Sequence, residues 1–181
     1  HATSFVWLNH QVSLASGETL QSKHKFEHFA RTHGVKIKSY RADNQPFGSQ
    51  AFRDDLETQE QTITFSGVGA HHQNGAAERI LQTISSWARA YMMHFLLHWP
   101  DQCDVKFWGF AMEHAVYTWN SLPKDCQSIS PLEMFSQTAQ PRENPLRARV
   151  LFAPIFILDP RLQDKGKLLK WTKGSPMGMY V

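Results

Sequence analysis

Two acidic residues are the first candidates for chemistry. Asp43 falls at the predicted carboxyl end of a strand, in the run Tyr40-Arg41-Ala42-Asp43-Asn44, and Glu78 falls in the first turn of a predicted long helix. In open α/β sheets, sites form beyond the carboxyl ends of strands. Magnesium or manganese takes hard oxygen ligands, and in-line phosphoryl displacement over two ions about 4 Å apart needs carboxylates converging from separate elements. A strand-end aspartate and a helical glutamate are the right types. Each also has a plain structural explanation: Asp-Asn followed by Gln-Pro is turn chemistry, and a glutamate near a helix start is favoured by the helix dipole.

The elements that would position this pair follow from periodicity. Residues 4–14 gather β-branched and aromatic residues around Asn9-His10-Gln11 and predict two short strands or a hairpin. Ser16-Gly17-Glu18 opens a helix whose apolar face carries Phe26, Phe29 and Ala30, with Gly34 as its stop. Val35 to Arg41 alternates as a strand ending at Ala42-Asp43-Asn44. A short helix within 50–59 and a strand over 62–65 complete a strand, helix, strand, helix order, which is α/β. A long helix is predicted from Gly75 to Leu97, turning Ile80, Ile84, Trp87, Ala88, Tyr91 and Phe95 inward. Another runs from Lys106 to about Asn120, with a core stripe of Trp108, Ala111, Met112, Ala115 and Trp119. After residue 121, frequent prolines and the run VLFAPIFIL predict short strands and turns, with a domain change near 141.

Composition narrows the class. With 181 residues, 41% of them hydrophobic and 19% charged, the chain has the core material of a folded domain and not of a disordered segment. Two cysteines, Cys103 and Cys126, lack zinc or redox spacing and are expected as free thiols. No apolar run reaches the roughly 18 residues of a membrane span, so an intracellular protein without a membrane partner is expected. The chain begins at His1 rather than Met, which is expected of a piece cut from a longer protein. Residues 1–140 hold 11 basic against 13 acidic side chains, whereas 141–181 hold 8 against 3. A basic tail on a nearly neutral body is either a footprint for phosphate backbones or a solvated face.

The strings around the two acids are more specific than the acids alone. RADN, then HHQNGAAER beginning 28 residues after Asp43, then FWGFAMEHAVYTWNSLP, SPLEMF and LDPRLQDKGKLLKW together resemble the integrase core of copia-type retrotransposon polyproteins. The resemblance spans almost the whole chain. It implies a ribonuclease-H-like mixed sheet flanked by helices over 1–140, followed over 141–181 by a basic linker and the start of a small β-barrel. It makes Asp43 and Glu78 the second and third acids of an Asp-Asp-Glu triad, separated here by 34 residues. The parent would hold two magnesium or manganese ions and join element ends to target DNA by strand transfer. It would act as a homo-oligomer in cytoplasm and nucleus.

Gln73, Asn74 and Gly75 would be DNA contacts by the same resemblance. So would Arg79, Gln82 and Arg89 on the long helix, where Glu78, Gln82, Ser85 and Arg89 fall on one polar stripe. Spacing alone also fits a solvent-facing stripe. In the tail, Lys167, Lys170 and Lys173, with Arg147, Arg149 and Lys165, are the phosphate-facing candidates. Two departures stand out. Gln45-Pro46-Phe47 replaces the Gly and acidic residue that usually follow Asp-Asn, and no aspartate precedes Asp43. The expectation is that the first acid lies just upstream of His1 and that this chain alone is inactive, leaving a non-catalytic nucleic-acid-binding remnant as the alternative. His24-Lys25-Phe26-Glu27-His28 matches the H-x-x-E-H zinc-peptidase string, but among ten histidines and without a third ligand it does not carry a peptidase.

Overall fold

The computed structural model describes residues 3–42, 47–65, 75–124, 129–139, 150–158 and 175–181. Helix α1 (Ser16–Thr32) is followed by β1 (Ser39–Ala42), α2 (Gln50–Thr58) and β2 (Thr62–Phe65). Glu18 fixes the start of α1 by accepting from the Val12 and Ser13 amides and the Ser13 hydroxyl. Gly34, at φ +73°, ends it: its amide bonds Arg31 and the next amide, Val35, bonds Ala30, the paired bonds of a left-handed cap.

β1 and β2 are parallel, Ser39 opposite Thr62 and Ala42 opposite Phe65, so β1, α2 and β2 form a βαβ unit. The strand expected from Val35 is therefore shorter at its start. Its ladder begins only where β2 begins, with the Thr62 amide on the Lys38 carbonyl. The short helix and the 62–65 strand fall where the sequence places them.

The long helix α3 (Gly75–His98) packs against α4 (Trp108–Ser121), which is preceded by a 3-10 turn over Val105–Phe107. Ile84, Ala88 and Phe95 of α3 meet Ala111, Ala115 and Val116 of α4, and Leu151 and Phe152 close the cluster. Phe95 stacks on Phe152 at 4.1 Å and meets Phe107 edge-on. The turn brings Phe107 to the core where Trp108 was expected, and Trp108 is left exposed. Helix α5 (Pro131–Ser136) opens with a reciprocal capping box between Ser130 and Glu133.

The hairpin expected over residues 4–14 is absent. No strand occurs there, because side chains of α4 take the place of a neighbouring strand. Asn120 accepts from the Val6 amide and donates to its carbonyl, and the Trp119 indole donates to the Ser4 carbonyl. Beyond α5, β3 (Pro154–Phe156) pairs antiparallel with β4 (Met177–Met179). A Cβ at Gly178 would meet the end of the Ile157 side chain at 3.1 Å, a tight contact that the half-exposed isoleucine would have to yield to. Among the described residues no helix is long and apolar enough to cross a membrane.

Candidate functional site

The carboxyl edge of the parallel pair is at Ala42 and Phe65, and one candidate acid is the next residue in sequence after β1. That residue is Asp43, which lies outside the described residues, as do Gln73, Asn74, Lys167, Lys170 and Lys173, and also Arg147, Arg149 and Lys165. Gly75, Glu78, Arg79, Gln82 and Arg89 all lie on α3. Glu78, Arg79, Gln82 and Arg89 are exposed and Ser85 is half-buried, while Ile80, Ile84, Ala88 and Phe95 turn to the core. The polar stripe is thus a surface of α3 opposite its packing face. Arg79 folds back so that its Nε donates to the Gly75 carbonyl at 3.1 Å, bracing the first turn in which Glu78 stands.

Two carboxylates are suitable donors for magnesium or manganese. Among the described residues no three histidine, cysteine, aspartate or glutamate side chains gather to hold a metal, and the H-x-x-E-H string does not form a metal-holding group. His24 and His28 border an open cavity of about 550 Å³ with Trp7 and Phe29, whereas Glu27 is buried elsewhere. His24 is paired to Asp55 at 2.8 Å. Cys103 is a free thiol, and Cys126 lies outside the described residues.

Behind β1 lies a buried polar cluster that pattern reading did not find. Lys23, its side chain only 2% exposed, bonds Glu27 at 2.9 Å one helical turn on and Asp55 of α2 at 2.6 Å. Glu27 also accepts from the Tyr40 hydroxyl at 2.5 Å and from the Gln61 amide at 2.7 Å. Burial pushes the Glu27 carboxyl up, but the hydrogen bonds from Tyr40, Lys23 and Gln61 outweigh it and hold it below its ordinary value. Asp55 is likewise lowered, burial being outweighed by Lys23 and His24. Tyr40 is raised, first by burial and then by its bond to Glu27. The cluster ties α1 to α2 and to β1 three residues before Asp43. Lys23 and Glu27 at i, i+4 are visible in the sequence; their common partner Asp55 is not.

The chain resembles solved integrase cores in three dimensions. One is the HTLV-2 integrase catalytic core domain in complex with magnesium, in its trimeric form, at 19% identity and a TM-score of 0.53, over 74% of this chain and 78% of that one. Another is the simian T-cell lymphotropic virus intasome in complex with the PP2A regulatory subunit B56 gamma, at 16% identity and a TM-score of 0.50. It covers 82% of this chain and 50% of that one. No protein-family model and no curated protein matches the chain. The likeness establishes a mixed α/β fold like that of a retroviral integrase catalytic core.

Proposed function

We propose that residues 1–140 are a copia-type retrotransposon integrase core of the ribonuclease-H-like class, followed over 141–181 by a basic linker and the beginning of a β-barrel. The reading rests on one observation above others: in an integrase-core-like fold, a parallel strand ends at residue 42, immediately before Asp43, and a long helix opens at Gly75 with Glu78 exposed in its first turn. Asp43 and Glu78 would hold divalent magnesium or manganese. Such ions activate an attacking oxygen and stabilise a leaving one.

The chain's own side chains would position the substrate. Arg79, Gln82 and Arg89 on the exposed face of α3, with Gln73, Asn74 and Gly75 before them, would receive DNA phosphates, and Lys167, Lys170 and Lys173 would extend the contact. The 181 residues supply two of the three acids that the resemblance implies. Strand transfer of element ends into target DNA is therefore proposed for a protein that also contributes the third acid. That protein would be a homo-oligomer acting in cytoplasm and nucleus. The absence of an aspartate before Asp43 favours the second reading for the chain alone, a nucleic-acid-binding remnant without catalysis.

The test adds a strand ending in an aspartate ahead of His1 and assays joining of oligonucleotide ends with magnesium. Joined product that disappears with Glu78→Gln and with Asp43→Asn is expected. DNA binding without joining would select the remnant reading, and neither binding nor joining would remove both.

A further inference from the structure

The parallel pair has a second end. The residues that lead into β1 and β2 line a cavity of about 360 Å³, with Glu27, Arg31, Val35, Lys36, Ile37 and Gln61 on its walls. That size is within the range of small-molecule sites. It lies at the amino ends of the strands, away from the edge that Asp43 follows, and none of the proposed catalytic or DNA-contacting residues lines it.

The deep part of the cavity is rich in acceptors. Gln61 Oε1 is buried and has no hydrogen-bond partner among the described residues. The amide cannot be turned to relieve this without loss, because its nitrogen is committed to Glu27 Oε1 at 2.7 Å and to the Ile37 carbonyl at 3.1 Å. Glu27 is 7% exposed, and the donors Lys23, Tyr40 and Gln61 all converge on its Oε1 rather than its Oε2. Glu27 Oε2 is therefore an acceptor open to the cavity side, while Gln61 Oε1 is a buried acceptor without a donor, an exception that points to a missing partner. The outer part has the opposite character. Arg31 and Lys36 are exposed, and neither pairs with a carboxylate among the described residues. Val35 and Ile37 add apolar lining.

We propose that this cavity binds a small ligand carrying an amino or amidino head and an anionic tail. The head donates to Gln61 Oε1 and Glu27 Oε2, and the tail meets Arg31 and Lys36. Amino-bearing nucleoside monophosphates and free arginine share this chemistry. The proposal does not rest on the integrase reading, since it uses none of the same residues.

The experiment titrates the 181-residue chain, without metal, with adenosine monophosphate and separately with L-arginine, following amide chemical shifts. Saturable shifts at residues 34–37 and 59–61 with one of the two are expected, and which one responds identifies the source. Adenosine, which lacks the anion, should bind more weakly than its monophosphate. The double variant Arg31→Ala/Lys36→Ala, at two exposed positions that leave the buried cluster intact, should weaken binding about tenfold or more with an unchanged melting temperature. Absence of saturable binding by either probe up to about 10 mM, or binding untouched by the double variant, would overturn the proposal. Water alone would then satisfy the two oxygens.

Discussion

The two halves of the described molecule hold together by different physics. The α3–α4 half is an apolar core in which Phe95, Phe152, Ile84 and five small or branched residues exclude water. The α1–β1–α2 half is joined by Lys23, Glu27, Asp55, Tyr40 and Gln61, which must each find partners to be buried at all. Apolar packing is tolerant of partner identity and scales with area. A buried ion cluster is geometrically exacting, and loss of one member strands the others. The exacting half is the one that carries β1 to Asp43, whereas the tolerant half presents Glu78 on the far face of a helix whose other face is anchored.

The comparison is most directly broken in the apolar half. Phe95 is fully buried between Phe107 and Phe152, and Phe95→Ala should cost about 3–5 kcal/mol in chemical denaturation. Phe95→Leu should recover much of that loss, because volume is what the site requires. In the polar half the ranking of substitutions should invert. Lys23→Met keeps the length of the side chain but leaves Glu27 and Asp55 without their shared cation, and about 3 kcal/mol should be lost even though the replacement is more apolar. If Lys23→Met were neutral in denaturant titration, the cluster would be incidental to stability and the contrast would fail.

The same cluster should confer a carboxylate pH dependence, whereas in the α3–α4 half the groups that burial shifts are His114 and Lys124. Glu27 and Asp55 titrate below their ordinary values of 4.5 and 3.8. Groups lowered in the folded state contribute stability that is fully present above those values and is lost as pH falls through the folded ones. Below about pH 4.5 stability measured at fixed denaturant should therefore decline beyond the loss that burial of His114 brings from about pH 6.5 downward, and this acid limb should be shallower in Glu27→Gln, measured relative to that variant's own neutral value. Tyr40 acts at the other end. Its raised value means that its contribution is intact below its ordinary value of 10.0 and falls above it. Tyr40→Phe should remove that alkaline limb.

How much of this could be seen in the sequence depended on whether an element is specified locally. The 3.6-residue spacing of Ile80, Ile84, Ala88 and Phe95 is a local signal, and α3 begins at the expected glycine and runs one residue past the expected end. The stop of α1 was legible because Gly34 alone supplies the left-handed turn. Residues 4–14 were misjudged because β-branched and aromatic residues favour extended backbone without saying what will satisfy it; Asn120, more than a hundred residues away, does so instead of a strand. Trp108 was placed inward by a periodicity that takes no account of the 3-10 turn before it. Asp55 offered no sign that it would share Lys23 with Glu27, since a contact between helices separated by a strand has no period. Of the candidate site, the helical side was legible down to the exposed stripe, and Asp43 lies outside the described residues.

Two smaller effects sharpen the contrast at its margins. Ser130 accepts from the Glu133 amide while Glu133 accepts from the Ser130 amide, and α5 is only six residues long, so Ser130→Ala should cost about 1 kcal/mol and fray that helix first. The smallest effect concerns a cation that the apolar half does use. Lys124 Nζ lies 3.5 Å from the centre of the Trp119 ring and 5.5 Å from that of Trp87, and burial lowers its titration from the ordinary lysine value. Among the described residues this cation has aromatic faces for partners, and it sits at the surface, where such contacts contribute about 0.5–1 kcal/mol. Lys124→Met should therefore lose no more than that amount, whereas the same change at Lys23 loses several times more. Equal losses at the two positions would mean that burial of the ion cluster, the feature separating the halves, has no energetic consequence.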